Sequence, residues 1–356
     1  MPSQIAQLPE RIGPYKIRVL LGEGGMGVVY QGVSPAGEIV TVKQIRGVVL
    51  TDHDKARFHS EIEALKIVYG ARVVPFIAGD SAPTDEDPWL AVKYIPGDTL
   101  WEYVNTNGPL EPVLVAIMGA ALAEGLQSIH NANLLHRDLK PRNIILGHDG
   151  PFVIDFGLAL LAETKVRRAE DAGRLTAPGD TVGTLVCMPP EQVRGEPLSA
   201  AADVYALGAT LLYAATGNYP YEAPNQFALS VQINSPSVAP NVTLLPPALH
   251  PPITTMLAMT PSDRPSLSQV TATLVQIVNA AGFDAQRART LLRHTTARTT
   301  PREAEPVTAS ASESHQQEVS VPRTGREPLY SSTPSPKGVL RAARKLRVAY
   351  ARDAAL

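Results

Sequence analysis

Between residues 136 and 157 the chain reads His136-Arg137-Asp138-Leu139-Lys140-Pro141-Arg142-Asn143 and then Asp155-Phe156-Gly157. Two acidic side chains and one amide, on loops flanking short strand-like runs, suit Mg²⁺. That cation prefers hard oxygen ligands and commonly shares substrate phosphates. A further role, orienting a hydroxyl nucleophile, suits an aspartate close by. A solvated loop with accidental acids is the plain alternative for such a stretch taken alone. Two more patterns stand upstream of it in order, and together they argue against accident.

The first is Gly22-Glu23-Gly24-Gly25-Met26-Gly27-Val28-Val29, lying between two strand-like runs. Glycines let a backbone approach phosphates closely with its N–H groups turned toward the anion. A glycine-rich β-turn is the competing reading. A dinucleotide fold would open a helix at the third glycine, whereas here Val28-Val29-Tyr30 continues as strand. The second pattern is Val40-Thr41-Val42-Lys43. A lysine in a β-branched run is ordinarily an edge or solvent-facing residue. One strand beyond the glycines, it can instead reach the phosphates of the same nucleotide. The helix that follows offers Glu61 and Glu63 as partners for its ammonium, and spacing does not choose between them.

Around these motifs, β-branched runs predict strands at 15–21, 27–33, 38–45, 73–78 and 89–94. Helical spacing takes over at 52–69, with Phe58, Ile62, Leu65 and Val68 or Tyr69 on one apolar face. Beyond Gly97 the pattern is mainly helical, clearest at 113–129, 200–216, 248–259 and 267–281. No internal repeat is visible.

The order and spacing of these motifs make residues 15–283 resemble a bacterial eukaryotic-like serine/threonine protein kinase. The resemblance implies an α+β, bilobal fold: a small antiparallel sheet lobe with one helix (15–95) and a larger, mainly helical lobe (96–283). It implies that Leu21, Gly22, Gly24, Gly25, Gly27, Val29, Lys93 and Ile95 form the ATP site. Lys43 would contact the α/β-phosphates and pair with Glu61, because Arg57-Phe58-His59-Ser60-Glu61 is similar to the family's helix signature, with Glu63 in reserve. Asp138 would accept the substrate hydroxyl proton and Lys140 would stand near the γ-phosphate. Asn143 and Asp155 would hold Mg²⁺, or Mn²⁺ in its place. Pro190-Glu191 and Arg264 resemble the family's buried ion pair, Asp203 the aspartate that braces the catalytic loop, and Thr184 the threonine beside the catalytic aspartate. Small-molecule kinases of this fold generally lack the Pro-Glu and arginine pairing, so the implied substrates are protein Ser/Thr hydroxyls, the chain itself included, in cis or in trans. Arg137, beside Asp138, resembles the arginine that pairs with a phosphorylated activation segment, for which Thr176 and Thr181 are the candidate sites. The rival class is a pseudokinase that binds nucleotide and partners as a scaffold. It would normally have lost one of Lys43, Asp138, Asn143 or Asp155.

Some residues depart from the pattern. Thr41 sets a hydroxyl where alanine usually packs over adenine, Lys93 replaces a common acidic residue, and Met188-Pro189 alters the substrate-facing loop. Cys187, also in that loop, is the chain's single cysteine and reads as a quiet packing thiol, with no sign of an oxidising compartment. The N-terminus lacks a signal pattern and the apolar stretches near 113–122 and 205–216 fall short of a membrane span, so the expected location is the cytoplasm without a transmembrane anchor.

Charge is split. Residues 284–356 carry 13 Lys and Arg against 7 Asp and Glu, leaving the body at −8 within a total of −2. No base-reading motif accompanies the basic tail, so no specific nucleic-acid partner is expected. Residues 1–14 read as an N-terminal extension and 284–336 as a disordered linker. Thr295, Thr296, Thr299 and Thr300 are expected there as exposed secondary phosphosites. Residues 337–356 read as a basic amphipathic segment with Val339, Ala343, Leu346, Tyr350 and Ala354 on one stripe, suited to docking on the acidic body or on a partner.

Overall fold

The computed structural model describes residues 8–24, 27–45, 52–80, 88–155 and 185–297. Alternating β-branched residues near the N-terminus form an antiparallel sheet in the order β1-β2-β3-β4-β6-β5. Its strands are β1 (Arg11–Ile12), β2 (Tyr15–Gly24), β3 (Gly27–Val33), β4 (Ile39–Gln44), β5 (Phe76–Gly79) and β6 (Trp89–Lys93). One face buries a small core of its own, including Tyr15, Ile17, Val28, Tyr30, Val40, Val42 and Ala91. The other face carries a row set by register: Gly22 lies opposite Val29, Val29 opposite Lys43, and Lys43 opposite Leu90. Directly opposed residues point to the same side of a sheet. Strand pairing alone therefore brings the glycine loop and the lysine together.

Helix α1 (Asp52–Ile67) precedes β5 and packs Phe58, Ile62 and Leu65 into the main core. Val68 completes that stripe, whereas Tyr69 is 95% exposed. The connection after α1 is stitched to the second lobe: Val74 N–H donates to the Val153 carbonyl (3.1 Å) and Val153 N–H to the Arg72 carbonyl (2.8 Å). The strand expected at 73–78 is consequently shorter, because residues 73–74 pair with the other lobe and only 76–79 join the sheet.

The second lobe begins with β7 (Gly97–Thr99), α2 (Leu100–Asn107) and α3 (Pro112–Asn131). A short sheet follows, with β8 (Ile144–Gly147) pairing β7 and β9 (Gly150–Val153). The remaining helices are α4 (Pro190–Val193), α5 (Ala200–Thr216), α6 (Gln226–Asn234), α7 (His250–Met256), α8 (Leu267–Ala280) and α9 (Ala285–Thr296). Helix α3 is the lobe's axle. Small residues let its neighbours approach: a Cβ at Gly119 would lie 2.7 Å from Leu211 of α5 and 2.8 Å from Leu274 of α8. It is also the one helix among the described residues long and apolar enough to cross a bilayer, contrary to the expectation from shorter windows. Most of it is buried inside the protein, as a core helix would be.

Two expected boundaries shift. The N-terminal extension at 1–14 contains β1, which pairs Arg11 with Lys16 and Ile12 with Tyr15. The linker at 284–336 starts as a helix. In α9, Ala288, Leu292 and Thr296 recur every four residues and are buried, and Asp284 caps the start by accepting from Arg287 N–H (2.7 Å). Averaged composition hid a three-turn stripe. Thr296 is thus not an exposed hydroxyl, since its Oγ1 donates to the Leu292 carbonyl (2.9 Å). Residues 298–356, with Thr299, Thr300 and the amphipathic segment, lie outside the described residues.

Candidate active site

The loop from His136 to Asn143 is held from three directions. Asp203 on α5 is 1% exposed, and its carboxylate accepts from His136 N–H (2.9 Å) and Arg137 N–H (2.9 Å) and meets His130 Nε2 (2.7 Å). Burial works to raise the Asp203 pKa. The bonds from His130 and the His136 N–H outweigh it, and the carboxyl sits below its ordinary range. His136 is fixed as well. Its Nε2 donates to the Ile154 carbonyl (3.0 Å) while its Nδ1 accepts from Asp138 N–H (3.3 Å). A carbonyl can only accept, so the contact with Ile154 puts a proton on Nε2. The third hold is Gln192 of α4, whose Nε2 donates to the Arg137 carbonyl (2.9 Å).

Within the loop, Lys140 Nζ reaches both Asp138 oxygens (3.0 and 2.8 Å). Asn143 Nδ2 donates to the Asp138 carbonyl (2.7 Å) and to its Oδ2 (3.1 Å). Arg137 and Asp155 both adopt left-handed φ values, 65° and 61°. For side chains with a Cβ this is a strained region, and such strain gathers at functional sites.

Lys43 is 7% exposed and pairs with Asp155 Oδ2 at 3.0 Å. Burial is the largest single influence and pushes the Asp155 pKa up, but the charge and hydrogen bond of Lys43, with the charge of Lys140 behind them, together bring the net direction down. Of the two glutamates offered by α1, Glu63 is exposed and bonds Lys66 (2.5 Å), which removes it as the Lys43 partner. The Glu61 side chain lies outside the described residues, as do Gly25 and Thr176, Thr181 and Thr184.

On the sheet side, Gly27 has φ 138°, and a Cβ there would meet the Gln44 carbonyl oxygen at 2.1 Å, so only glycine fits. Gly24 pairs with Gly27 across the turn, and Leu21 lies beside Gly22 with 43% of its surface exposed. Thr41 lies on the same face as Lys43 and is half-buried. Ile95 is buried. The Lys93 side chain is exposed, and its N–H donates to the Pro75 carbonyl (2.9 Å).

Beneath the site, Arg264 and Glu191 form a bidentate pair (2.6 and 2.8 Å) with side chains 0% and 3% exposed. Cys187 is buried nearby, and burial pushes its thiol up to about 12, which makes it a packing residue. Three parts of this arrangement escape a reading of motifs: the His130 contact with Asp203, the Gln192 bond, and Arg142 stacked 3.4 Å above the Trp101 ring. The first two could have been sought only through their neighbours in sequence, the end of a long helix and the residue after Pro190-Glu191. The third joins residues 41 apart and carries no local signal.

The residues fit a divalent cation. Asn143 commits its amide N–H groups to Asp138, leaving its oxygen as acceptor, and the Asp155 carboxylate is 35% exposed beyond its bond to Lys43. One neutral and one charged hard oxygen suit an ion that completes its shell with water and phosphate.

A curled sheet over a helical lobe, with lysine, carboxylates and an amide converging between them, defines a phosphotransfer domain. The protein kinase domain profile matches residues 15–275, and the chain belongs to that family. It is 39% identical over 267 residues to a probable serine/threonine-protein kinase PkwA of Thermomonospora curvata, covering 75% of this chain and 34% of that one. It is 37% identical over 287 residues to the serine/threonine-protein kinase AfsK of Streptomyces coelicolor, covering 80% and 34%. With AfsK of Streptomyces griseus the identity is 40% over 228 residues, covering 63% and 27%. The chain thus spans about a third of the length of the curated relatives it matches. The family uses ATP and a divalent metal.

Proposed function

We propose that the chain is a serine/threonine protein kinase that transfers the ATP γ-phosphoryl group to protein hydroxyls. One observation carries this. Lys43, Asp138, Lys140, Asn143 and Asp155, from three separate stretches, converge with each member bonded to another of the set. Asp138 orients the substrate hydroxyl and takes its proton. Lys140 balances the Asp138 charge and stands ready for the charge of the transferred group, and Lys43 is buried where it can fix phosphates. The cation, Mg²⁺ or alternatively Mn²⁺, is held by Asn143 and Asp155 and supplies neutralising charge when bound. The glycines from Gly22 to Gly27 cover the phosphates, and Leu21, Val29, Ile95 and the backbone near Lys93 frame the base. Glu61 pairs with Lys43 in the working enzyme.

Support for a protein substrate comes from the Glu191–Arg264 pair, which anchors the segment on which a peptide would lie, and from the names of the relatives. Autophosphorylation at Thr176 and Thr181, read by Arg137, and a cytoplasmic setting belong to the same proposal. The test is transfer of labelled γ-phosphate to protein Ser or Thr, lost in Asp138→Asn. Equal background in wild type and variant would leave a nucleotide-binding scaffold, and turnover on metabolites alone a small-molecule kinase.

A further inference from the structure

We propose that Gln192 is a positioning residue for phosphotransfer, one that ties the geometry of Asp138 to the order of the substrate-facing segment; this rests on the kinase reading above. The residue before Asp138 is Arg137, held at φ 65°. A backbone in that region returns to an easier conformation unless its peptide groups are fixed from outside. Two side chains fix it. Asp203 takes the Arg137 N–H from below, out of the buried helix α5, and Gln192 grips the Arg137 carbonyl at 2.9 Å from α4. That carbonyl belongs to the peptide bond leading into Asp138, so its orientation sets the direction in which Asp138 leaves the chain.

The two holds differ in origin. Asp203 is part of the core, with His130 and two backbone N–H groups on its carboxylate. Gln192 belongs to the segment from Leu185 to Val193 that leads out of the substrate-facing loop. Its own N–H donates to the Pro189 carbonyl (3.0 Å), and its neighbour Glu191 is locked to Arg264. When that segment is in place, Gln192 is delivered to the catalytic loop. When it is displaced, the Arg137–Asp138 peptide loses the hold on its carbonyl and keeps only the longer bond from its N–H to His136 Nδ1 (3.3 Å), while Asp203 still holds the preceding peptide. Gln192 touches no reacting group. It acts through the backbone.

The test compares Gln192→Met, similar in length but unable to donate, with Gln192→Glu, which can donate only when protonated. In Gln192→Met, kcat falls about ten- to a hundredfold, the scale of a small misplacement near the chemistry. The KM for ATP stays within about twofold and the melting temperature within about 2 °C, because no nucleotide contact and no core residue is lost. Gln192→Glu behaves alike at about pH 8. As pH falls, a growing share of the half-buried carboxyl is protonated and can donate to the Arg137 carbonyl, and its rate relative to wild type climbs back. The charged groups on the packed elements are Arg137, Asp138 and Lys140 in the loop, Asp203 on α5, Glu191 on α4, Arg194 just beyond it with its partner Glu196, and Arg264. All are common to both proteins, and so is the ring of His136, so the ratio at each pH isolates residue 192. Wild-type kcat in both variants, or losses that follow melting temperature without acid recovery, would overturn the proposal. A wild-type protein inactive on every protein substrate would instead bring down the kinase reading first.

Discussion

Two ion pairs hold the ends of the candidate site, and they are built differently. At the base, Arg264 uses all five N–H donors. Nε bonds Ala258 O, Nη1 bonds Glu191 and Ala201 O, and Nη2 bonds Glu191 and Met259 O, with the Tyr205 ring 5.0 Å from the guanidinium. At the cleft, Lys43 meets an aspartate that is a third exposed and set on a left-handed backbone. The first centre is saturated, so its charges are committed to the fold. The second keeps oxygen surface and strain in reserve, so its charges are available to a ligand. A buried pair stabilises only relative to its broken state, whereas an open pair can exchange partners during a reaction.

Breaking the base gives the largest effect. Arg264→Ala strands the Glu191 carboxylate in the core and costs about 3–5 kcal/mol. That corresponds to a fall in melting temperature of roughly 10 °C, readable by calorimetry. A variant that kept its melting temperature but lost activity would erase the distinction between the two centres. Asp138→Asn inverts the pattern: transfer drops by about 10²–10⁴, while the melting temperature stays close to wild type.

Acid separates two carboxylates on the same axis. Asp203 has its folded pKa below the ordinary value of 3.8. Its stabilisation is therefore complete above that value and is lost as pH falls below it, because the unfolded chain then binds the proton that the folded one resists. Chemical unfolding followed from pH 7 to pH 3 should show this loss in the wild type and a shallower slope in Asp203→Asn. Asp155 shifts in the same direction, but solvent screens a third-exposed group, so Asp155→Asn should alter the acid slope less. An equal change from both would place them in one class. The smallest effect concerns Cys187. With its thiol raised to about 12, alkylation at pH 8 should leave the native protein unlabelled and label it fully after denaturation.

The legible parts of the fold were those with local causes. The strands at 27–33 and the helix at 200–216 match the observed elements because alternation and helical spacing are local patterns. Helix α9 was missed because its stripe is buried on a surface supplied by distant residues, and strand β1 because two residues are too few to show a strand pattern. The membrane-length of α3 was missed for a related reason. Its glycines and alanines look weakly apolar in a short window, yet they are what α5 and α8 need in order to approach. At the site, the residues that come together stood in recognisable order, but the choice between Glu61 and Glu63 did not follow from spacing. The observed bond from Lys66 to Glu63 on the exposed side of α1 was needed to remove one of them.

The sequence by itself determined which chemical groups are present, their order, and the local strand and helix patterns that carry them. Those depend on residue type and short-range periodicity, which a linear string carries in full. Only the tertiary structure decided that Asp203 would hold two backbone N–H groups 66 and 67 residues away, that Gln192 would reach Arg137 across 55, and that Arg264 would satisfy Glu191 across 73. Such contacts form because buried donors and acceptors must find partners wherever packing brings them. No local rule names the partner until the core has closed around it.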